Sequence, residues 1–376
     1  MIGLYVHVPF CAAICNYCNF NRGLFDAALK ARYVDAVLRE IRSSPGGEAD
    51  TIFFGGGTPS LLEPEEIGAI IGACRERFAL AADAEITLEA NPETTTVDRL
   101  RGFGAAGVNR LSFGVQSFDD TELRLLSRLH TASRAEMALS EARQAGFENV
   151  SLDLMMWLPQ QDVPTWLRSV DRLAELNPDH ASLYMLELYP NAPLKEEMAR
   201  ARWSQAPDDD VAEMYVEAME RLEGAGYEQY EISNVARPGR RSRHNLKYWQ
   251  DGEWRGFGPG AHSTAAGVRW KNVSSTVEYV ERVAAGAQLV AEERRLSREE
   301  RLEEALFTGL RLSTGVNVAE VRRRYGVDVW EKYGRDLQPF ADEGLLDYDG
   351  ASLVLTRRGM LLAHEIMTVF ISAPVR

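Results

Sequence analysis

Three of the four cysteines in this 376-residue chain lie close together near its N-terminus, at Cys11, Cys15 and Cys18. Thiolates at this spacing can bind three irons of a [4Fe–4S] cluster, which leaves the fourth iron open to an external ligand. The alternative is tetrahedral zinc with His7 as fourth ligand, although the spacing of Cys11 and Cys15 is unusual for zinc. Cys74 lies on the apolar face of a predicted helix and is expected to be a buried, small hydrophobic residue.

Polar residues and glycines also lie at the C-terminal ends of the predicted strands. Gly55-Gly56-Gly57-Thr58 follows one strand, and glycines let a backbone approach a ligand closely. Glu89, Gln116 and Asp153 lie near the ends of three further strands. Because the carboxyl ends of barrel strands converge on one site, we expect these groups to meet the cysteine loop.

The first half of the chain alternates short apolar runs with amphipathic helical patterns. Strands are predicted over residues 2–8, 51–54, 85–88, 110–115, 150–154 and 180–186, with helical stretches between them. Six such strand-then-helix units predict a parallel sheet covered by helices, either open or closed into a barrel. The clustering of polar residues at the strand ends favours a barrel-like arrangement.

The second half of the chain has a different pattern. A helix is predicted over 208–222, and a basic segment at 236–243 precedes the aromatic-rich residues 244–254. Ser297-Arg298-Glu299-Glu300 has the form of a capping box, which opens an amphipathic helix. Further helices at 318–325 and 329–340, short strands at 345–348 and 353–355, and a last helix to about residue 370 predict a winged-helix-like domain.

Composition excludes some classes of function. The chain has 42 Lys and Arg residues against 56 Asp and Glu residues, a formal net charge of −14. This charge argues against a protein whose affinity for nucleic acid comes from neutralising phosphates. No apolar run is long enough to predict a transmembrane helix. The first residues lack the features of a secretory signal, so we expect a cytoplasmic protein.

The segment Tyr5-x-His7-x-Pro9-Phe10-Cys11-x3-Cys15-x-Tyr17-Cys18-x-Phe20 resembles the signature of the radical S-adenosylmethionine (SAM) superfamily. Within it, the chain is similar to the group of oxygen-independent coproporphyrinogen III oxidases and HemW-type haem chaperones, and most of all to the HemW type. The resemblance implies an α/β fold. It comprises a partial (β/α)6 radical SAM barrel over residues 1–230, a connecting segment over 231–290 and a mainly helical, winged-helix-like C-terminal domain over 291–376.

The resemblance also assigns residues to two cofactors. The three clustered cysteines match the ligands of a [4Fe–4S] cluster. Positions that match residues around SAM are Tyr5, Gly55, Gly56, Gly57, Thr58, Glu89, Gln116, Arg128 and Asp153. Residues 257–263 match a further family loop near the site. One departure is Trp157, which stands where the family usually has glycine, and its indole either narrows the cavity or packs outside it.

The residues His244-Asn245-Leu246-Lys247-Tyr248-Trp249 fit the His-Asn-x-x-Tyr-Trp pattern of HemW-type proteins. His244 offers an imidazole for haem iron, and Tyr248 and Trp249 offer flat faces for a porphyrin. Asn245 is the fourth candidate for haem binding. Arginines of the preceding basic segment can pair with haem propionates. The alternative is that His244 is a hydrogen-bonded structural histidine and the aromatic residues belong to the core.

Phe20 stands where the decarboxylating oxidase usually carries a further cysteine, so a haem chaperone is the favoured function. By resemblance, such a protein binds the cluster, SAM and haem as cargo, and delivers haem to respiratory haemoproteins. Implied partners are a bacterioferritin-like haem donor and a second copy of the chain, with at most peripheral contact to the inner face of the membrane. The alternatives are a coproporphyrinogen dehydrogenase-type oxidoreductase, which forms protoporphyrinogen IX by radical SAM chemistry, and a radical SAM methyltransferase. The sequence leaves open whether SAM is cleaved.

Overall fold

The computed structural model describes residues 1–190 and 192–371. Six parallel strands lie side by side in chain order within a twelve-stranded sheet. They are β1 (Ile2–Val8), β2 (Gly47–Gly56), β3 (Phe78–Ala90), β4 (Arg110–Gln116), β5 (Val150–Met156) and β6 (His180–Met185). All six predicted strands are present. The third begins earlier than predicted, because the alanines that precede residue 85 give no alternating pattern.

One or two helices follow each of these strands. They are α1 (Ala27–Ser43), α2 (Pro64–Arg77), α3 (Val97–Ala106), α4 (Asp120–Leu125), α5 (Ala132–Gln144), α6 (Val163–Leu176), α7 (Pro193–Ala201) and α8 (Asp208–Gly224). The alternation of strand and helix is the α/β architecture that the sequence predicts.

Local sequence signals explain where a helix such as α1 begins and which face it buries. The Asp26 side chain accepts a hydrogen bond from the Leu29 N–H at 2.8 Å, which satisfies one of the free donors of the first turn. Tyr33, Val37 and Ile41 recur at helical spacing and are fully buried. Their removal from water is the main force that holds α1 against the sheet.

The sheet continues on both sides of the six strands. Beyond β6 lie two antiparallel strands, β7 (Glu228–Glu231) and β8 (Asn234–Ala236), and β8 is the one that pairs with β6. On the other side, β9 (Trp254–Phe257) is parallel to β1, and three antiparallel strands follow it: β10 (His262–Ala265), β11 (Val268–Asn272) and β12 (Val290–Arg295). Residues 254–295 therefore extend the barrel sheet. The short helix α9 (Arg243–Trp249) precedes β9, and residues 254–295 include α10 (Thr276–Ala284).

The C-terminal part is mainly helical. Its helices are α11 (Arg298–Gly309), α12 (Val318–Tyr325), α13 (Val329–Asp342), α14 (Arg357–Leu361) and α15 (Ala363–Thr368), and its small sheet consists of β13 (Val316–Asn317), β14 (Leu346–Tyr348) and β15 (Ser352–Leu355). The capping box at Ser297 and Glu300 is present. The predicted single last helix is wrong, because the chain breaks at Leu362 into α14 and α15. None of the helices within the described ranges has the length and apolar character needed to cross a bilayer.

Candidate functional site

A cavity of about 400 Å³ opens where the parallel strands end. Its walls bring together ten of the predicted cofactor residues: Cys11, Cys15, Cys18, Gly56, Gly57, Thr58, Glu89, Gln116, Arg128 and Asp153. Because β1 to β5 are consecutive neighbours, their carboxyl ends meet at one edge of the sheet. Tyr5 and Gly55 are not part of this lining, and Tyr5 lines a second cavity inside the barrel.

The cysteine loop, residues 11–18, is fixed by backbone hydrogen bonds. The Cys11 carbonyl accepts from the Phe25 N–H at 2.9 Å, and the Cys15 carbonyl accepts from the Cys18 N–H at 3.2 Å. Burial raises the pKa of the Cys11 thiol, and a hydrogen bond to Thr58 partly opposes this effect. Burial likewise raises the pKa of Cys18. The backbone thus holds three thiols around one cavity.

His7 is not available to a metal ion at this loop. Its Nε2 lies 2.6 Å from the Asn21 carbonyl oxygen, and its Nδ1 lies 3.1 Å from the Tyr5 hydroxyl. Within the part of the chain that the structure describes, no three His, Cys, Asp or Glu side chains are placed to hold one metal ion. Thiolates of a [4Fe–4S] cluster bind separate irons and so stand further apart than the ligands of one zinc ion. Three thiols around one cavity fit a [4Fe–4S] cluster, and the engaged ring nitrogens of His7 do not fit the zinc alternative.

Arg128 lies against the cysteine loop and is partly buried. Its Nη2 donates to the Asn91 side-chain oxygen at 2.8 Å and to the Gly114 carbonyl at 2.7 Å, and its Nη1 is 3.5 Å from the Cys15 sulfur. Its Nε is buried without a hydrogen-bond partner among the described residues. A guanidinium held in this way beside a cavity can pair with the carboxylate of a ligand.

The glycine run at the end of β2 has a steric reason. A Cβ at Gly56 would lie 2.6 Å from the His7 ring, and the φ of Gly56 is +114°. A Cβ at Gly57 would lie 2.6 Å from the Phe10 carbonyl oxygen. The Gly57 N–H donates to the Val8 carbonyl at 2.7 Å. The run therefore lets β2 pass close under the cysteine loop, as the permissive backbone of glycine allows.

Glu89 and Asp153 are two partly buried carboxyl groups that line the cavity. Desolvation is the main cause that raises the pKa of Glu89 to about 8, and the negative charge of the nearby Asp153 is the second cause. Burial also raises the pKa of Asp153, while Arg110 in β4 acts in the opposite direction on both groups. Glu89 accepts a hydrogen bond from the Gly56 N–H at 3.2 Å. The pair can accept hydrogen bonds from ligand hydroxyls such as those of a ribose.

Gln116, the last residue of β4, lines the cavity with an unusual backbone conformation. Its φ is +71°, in a region where residues with a side chain are strained. Gly114 makes room for it, since a Cβ at Gly114 would lie 2.9 Å from the Gln116 amide nitrogen. This backbone conformation places the Gln116 side chain at the cavity that the other predicted residues line.

Sequence reasoning gave no role to Asn91 and Arg110, although both contact or face the site. Asn91 holds the Arg128 guanidinium. Arg110 is 2% exposed and lines the inner cavity with Glu89 and Asp153. The signal for Arg110 is present in the sequence. A parallel sheet is covered by helices on both faces, so a charged residue at the start of one of its strands is expected to be buried.

Trp157 does not line the cavity of the cysteine loop. Its indole N–H donates to the Ala206 carbonyl at 2.9 Å, and its own carbonyl accepts from the Gln205 side chain at 2.8 Å. The φ of Trp157 is +64°, a conformation that glycine adopts without strain. The structure thus shows the second alternative: the indole packs outside the cavity at a position that suits glycine.

The His-Asn-x-x-Tyr-Trp motif forms most of α9 (Arg243–Trp249), at the opposite end of the strands from the cysteine loop. His244 is 1% exposed. Its Nδ1 lies 2.8 Å from the Thr51 hydroxyl and its Nε2 lies 2.9 Å from the Tyr248 hydroxyl. Burial is the main cause that lowers the pKa of His244 to about 3, and the positive charge of Lys247 is the second cause. The geometry supports a structural histidine, because both ring nitrogens are used inside the fold.

The other haem candidates divide between two places. Asn245 and Tyr248 line the inner cavity of about 210 Å³ that also contains Tyr5 and Glu89, while Tyr248 and Trp249 line a separate cleft of about 560 Å³. The indole of Trp249 lies 4.4 Å from the guanidinium carbon of Arg311. Of the preceding arginines, Arg241 pairs with Glu228, and Arg243 pairs with Asp50 and Asp83. The structure therefore does not bring the four haem candidates together around one open pocket.

Comparison with known proteins gives a consistent result. Residues 5–173 match the radical SAM superfamily, and residues 296–362 match the HemN C-terminal domain. The chain is 35% identical to the Heme chaperone HemW of Bacillus subtilis (strain 168) over 99% of both chains. It is 39% identical to the Bos taurus mitochondrial radical S-adenosyl methionine domain-containing protein 1, over 98% of this chain and 87% of that protein. The solved structure of coproporphyrinogen III oxidase (HemN) from Escherichia coli superposes with a TM-score of 0.85 at 26% identity, over 98% of this chain and 89% of that one.

Proposed function

We propose that this chain, which belongs to the radical SAM superfamily and to its group containing HemN and HemW, is a haem chaperone of the HemW type. The observation that carries the proposal is the 35% identity to a Heme chaperone HemW over 99% of both chains. In this function the barrel binds a [4Fe–4S] cluster and SAM, while haem is cargo that the protein delivers to respiratory haemoproteins. The expected location is the cytoplasm, with peripheral contact to the inner face of the membrane. The expected assembly is a homodimer.

The cavity residues suit the two cofactors by their chemistry. The three cysteine thiols are the cluster ligands in this proposal, and Arg128 pairs with the SAM carboxylate. Glu89 accepts hydrogen bonds from the ribose, and the glycine run lets the backbone reach the methionine amino group. When bound, the cluster and SAM together supply one-electron chemistry. The protein side chains bind and orient both groups.

A second candidate is the oxidase function of HemN. It is favoured by the TM-score of 0.85 to the Escherichia coli coproporphyrinogen III oxidase over 98% of this chain. In that case the cavity of the cysteine loop would receive a porphyrinogen. Phe20 argues against it, because this residue lines the cavity and is 62% exposed where the oxidase usually has a cysteine.

The two functions are separated by assays on the full-length chain, reconstituted with iron and sulfide without oxygen. We expect the protein to bind added haem, seen by absorbance, and to transfer it to apomyoglobin as a probe acceptor. With coproporphyrinogen III, SAM and a reductant, we expect no protoporphyrinogen IX. Turnover to protoporphyrinogen IX without haem binding would overturn the chaperone proposal in favour of the oxidase.

A further inference from the structure

We propose that haem binds in the cleft between the β9–β11 strands and α11, with the imidazole of His262 as a ligand of the iron. This inference rests on the proposed chaperone function and specifies its cargo site. It differs from the expectation based on the sequence motif, which placed the iron at His244. The cleft, the imidazole and the charges around them each support the assignment.

The cleft has a volume of about 560 Å³ and is lined by both the barrel and the C-terminal helices. Pockets for flat, largely apolar ligands are commonly of this size and lie where two parts of a chain meet. Aromatic rings of Tyr248, Trp249, Trp254 and Phe307 face it. Tyr248 and Trp249 are the two aromatic residues of the His-Asn-x-x-Tyr-Trp motif, so the motif contributes flat surfaces here although its histidine does not.

His262, the first residue of β10, lines this cleft and is exposed. It is the one histidine among the residues that line the cleft within the described chain. Partial desolvation against the cleft, and to a smaller extent the charge of Lys271, lower the pKa of His262. A lowered pKa favours the neutral imidazole, which is the form that binds iron. In contrast, the ring nitrogens of His244 are both held by hydroxyl groups.

The charged residues of the cleft leave a guanidinium open to a propionate. Arg269 donates two hydrogen bonds of 2.8 Å to the carboxylate of Glu304. Asp251 accepts from Arg324 and from the Tyr325 hydroxyl, each at 2.6 Å. These two acids are thus neutralised within the protein, while the third acid of the lining, Glu253, accepts a hydrogen bond from the Ala266 N–H at 2.6 Å. Arg301 is exposed and extends over the Tyr325 ring at 6.0 Å, where it can donate charge-assisted hydrogen bonds to a propionate.

The test is a haem titration of the full-length, reconstituted protein and of three variants. Haem binding is monitored by absorbance, and the spin state of the ferric iron reports its ligands. We expect His262→Ala to weaken haem binding about tenfold or more and to remove the spectrum of an imidazole-ligated iron. Free imidazole should restore that spectrum in the variant. Arg301→Gln should weaken binding without changing the iron spectrum. His364→Ala is the matched control, because that histidine side chain is 80% exposed on α15, and it should behave as the wild type.

The outcomes separate this inference from the proposed function. If wild type binds haem and His262→Ala gives the same affinity and spectrum, the assignment of His262 is overturned while the chaperone proposal stands. Weaker binding with an unchanged imidazole spectrum also overturns the ligand assignment. If wild type itself binds no haem, the chaperone proposal fails and this inference fails with it.

Discussion

Single residues of the same type have different chemistry here because their surroundings differ. Cys11, Cys15 and Cys18 line the cavity, whereas Cys74 lies on the inner face of α2 and is fully buried in the core. Burial raises the pKa of Cys74 to about 12, so this thiol stays protonated at neutral pH and is a poor metal ligand or nucleophile. The three cavity thiols are the ones placed for a cluster.

Replacing one cavity thiol should abolish the cluster. We expect Cys15→Ser to bring the iron content of the anaerobically reconstituted protein to background, because a hydroxyl is a poor substitute for a thiolate ligand. Cys74→Ala is the matched control. It should keep the iron content of wild type and lose about 1 kcal/mol of unfolding free energy through its small cavity. Equal iron loss in both variants would contradict the assignment of the trio.

The desolvated carboxyl of Glu89 should make stability depend on pH. Its pKa is about 8 in the folded protein against an ordinary value of 4.5. Between these values the folded state holds a proton that the unfolded state has lost, so the free energy of unfolding falls as pH rises through this window. Glu89→Gln removes this contribution. Denaturant unfolding across the window should therefore show the variant gaining stability relative to wild type as pH rises, and parallel curves would refute this.

At the scale of elements, the ends of strands determine the shape of the site. β2 ends in a glycine run that passes under the cysteine loop, and β4 ends at Gln116 with a φ of +71°. After β5, Trp157 keeps a φ of +64° at a position that suits glycine. The first two bends direct backbone and side chains toward one cavity, whereas the indole of Trp157 packs outside it. They store strain that packing of the surrounding elements must offset.

Adding one methyl group at the end of β2 tests this close packing. Gly56→Ala places a Cβ near the His7 ring and requires a strained φ. We expect a loss of about 2 kcal/mol in unfolding free energy and weaker cluster incorporation. Gly47→Ala, at the other end of the same strand, is the control, because a Cβ there meets nothing within 4 Å. Denaturant titration measures both, and a Gly56→Ala variant as stable as Gly47→Ala would show that β2 can move away from the loop.

At the scale of the molecule, the C-terminal helices are joined to the edge of the barrel sheet. The Ile232 N–H donates to the Arg311 carbonyl at 3.0 Å, and the Ser313 N–H donates to the Tyr230 carbonyl at 3.1 Å. An ion pair of 2.9 Å between Arg311 and Glu231 reinforces the contact, and the Glu231 side chain is fully buried. The two parts should therefore unfold together.

Removing the cation of this pair should be costly. Arg311→Met leaves the Glu231 carboxylate buried without its cation, and we expect a loss of roughly 3 kcal/mol. Arg323→Met breaks an exposed pair between side chains that are 72% (Arg323) and 44% (Glu320) exposed, and should have little effect on stability because solvent screens such pairs. Thermal unfolding of both variants provides the comparison. If the two losses were equal, the buried pair would not be what joins the parts.

The sequence could predict the order of strands and helices because their signals are local. Apolar periodicity located the six parallel strands and most helices, and the capping box at Ser297 marked the start of α11. The bounds of β3 and the break at Leu362 were missed, since neither has a distinct local pattern. Most residues around the cavity could be named because they lie near the end of a strand, and parallel strands gather these ends at one edge. Arg128 lies beyond α4 and was named by the family resemblance alone.

The sequence by itself therefore determined the family, the α/β architecture and the cysteine trio that faces a cavity. The tertiary structure decided what the remaining polar residues contact. His244 bonds Thr51, 193 residues away in the chain, Trp157 turns outward toward Ala206, and His262 faces a cleft formed with α11. The physical reason is that burial and hydrogen bonding depend on neighbours brought together by folding, whereas secondary structure and short motifs depend on residues adjacent in sequence.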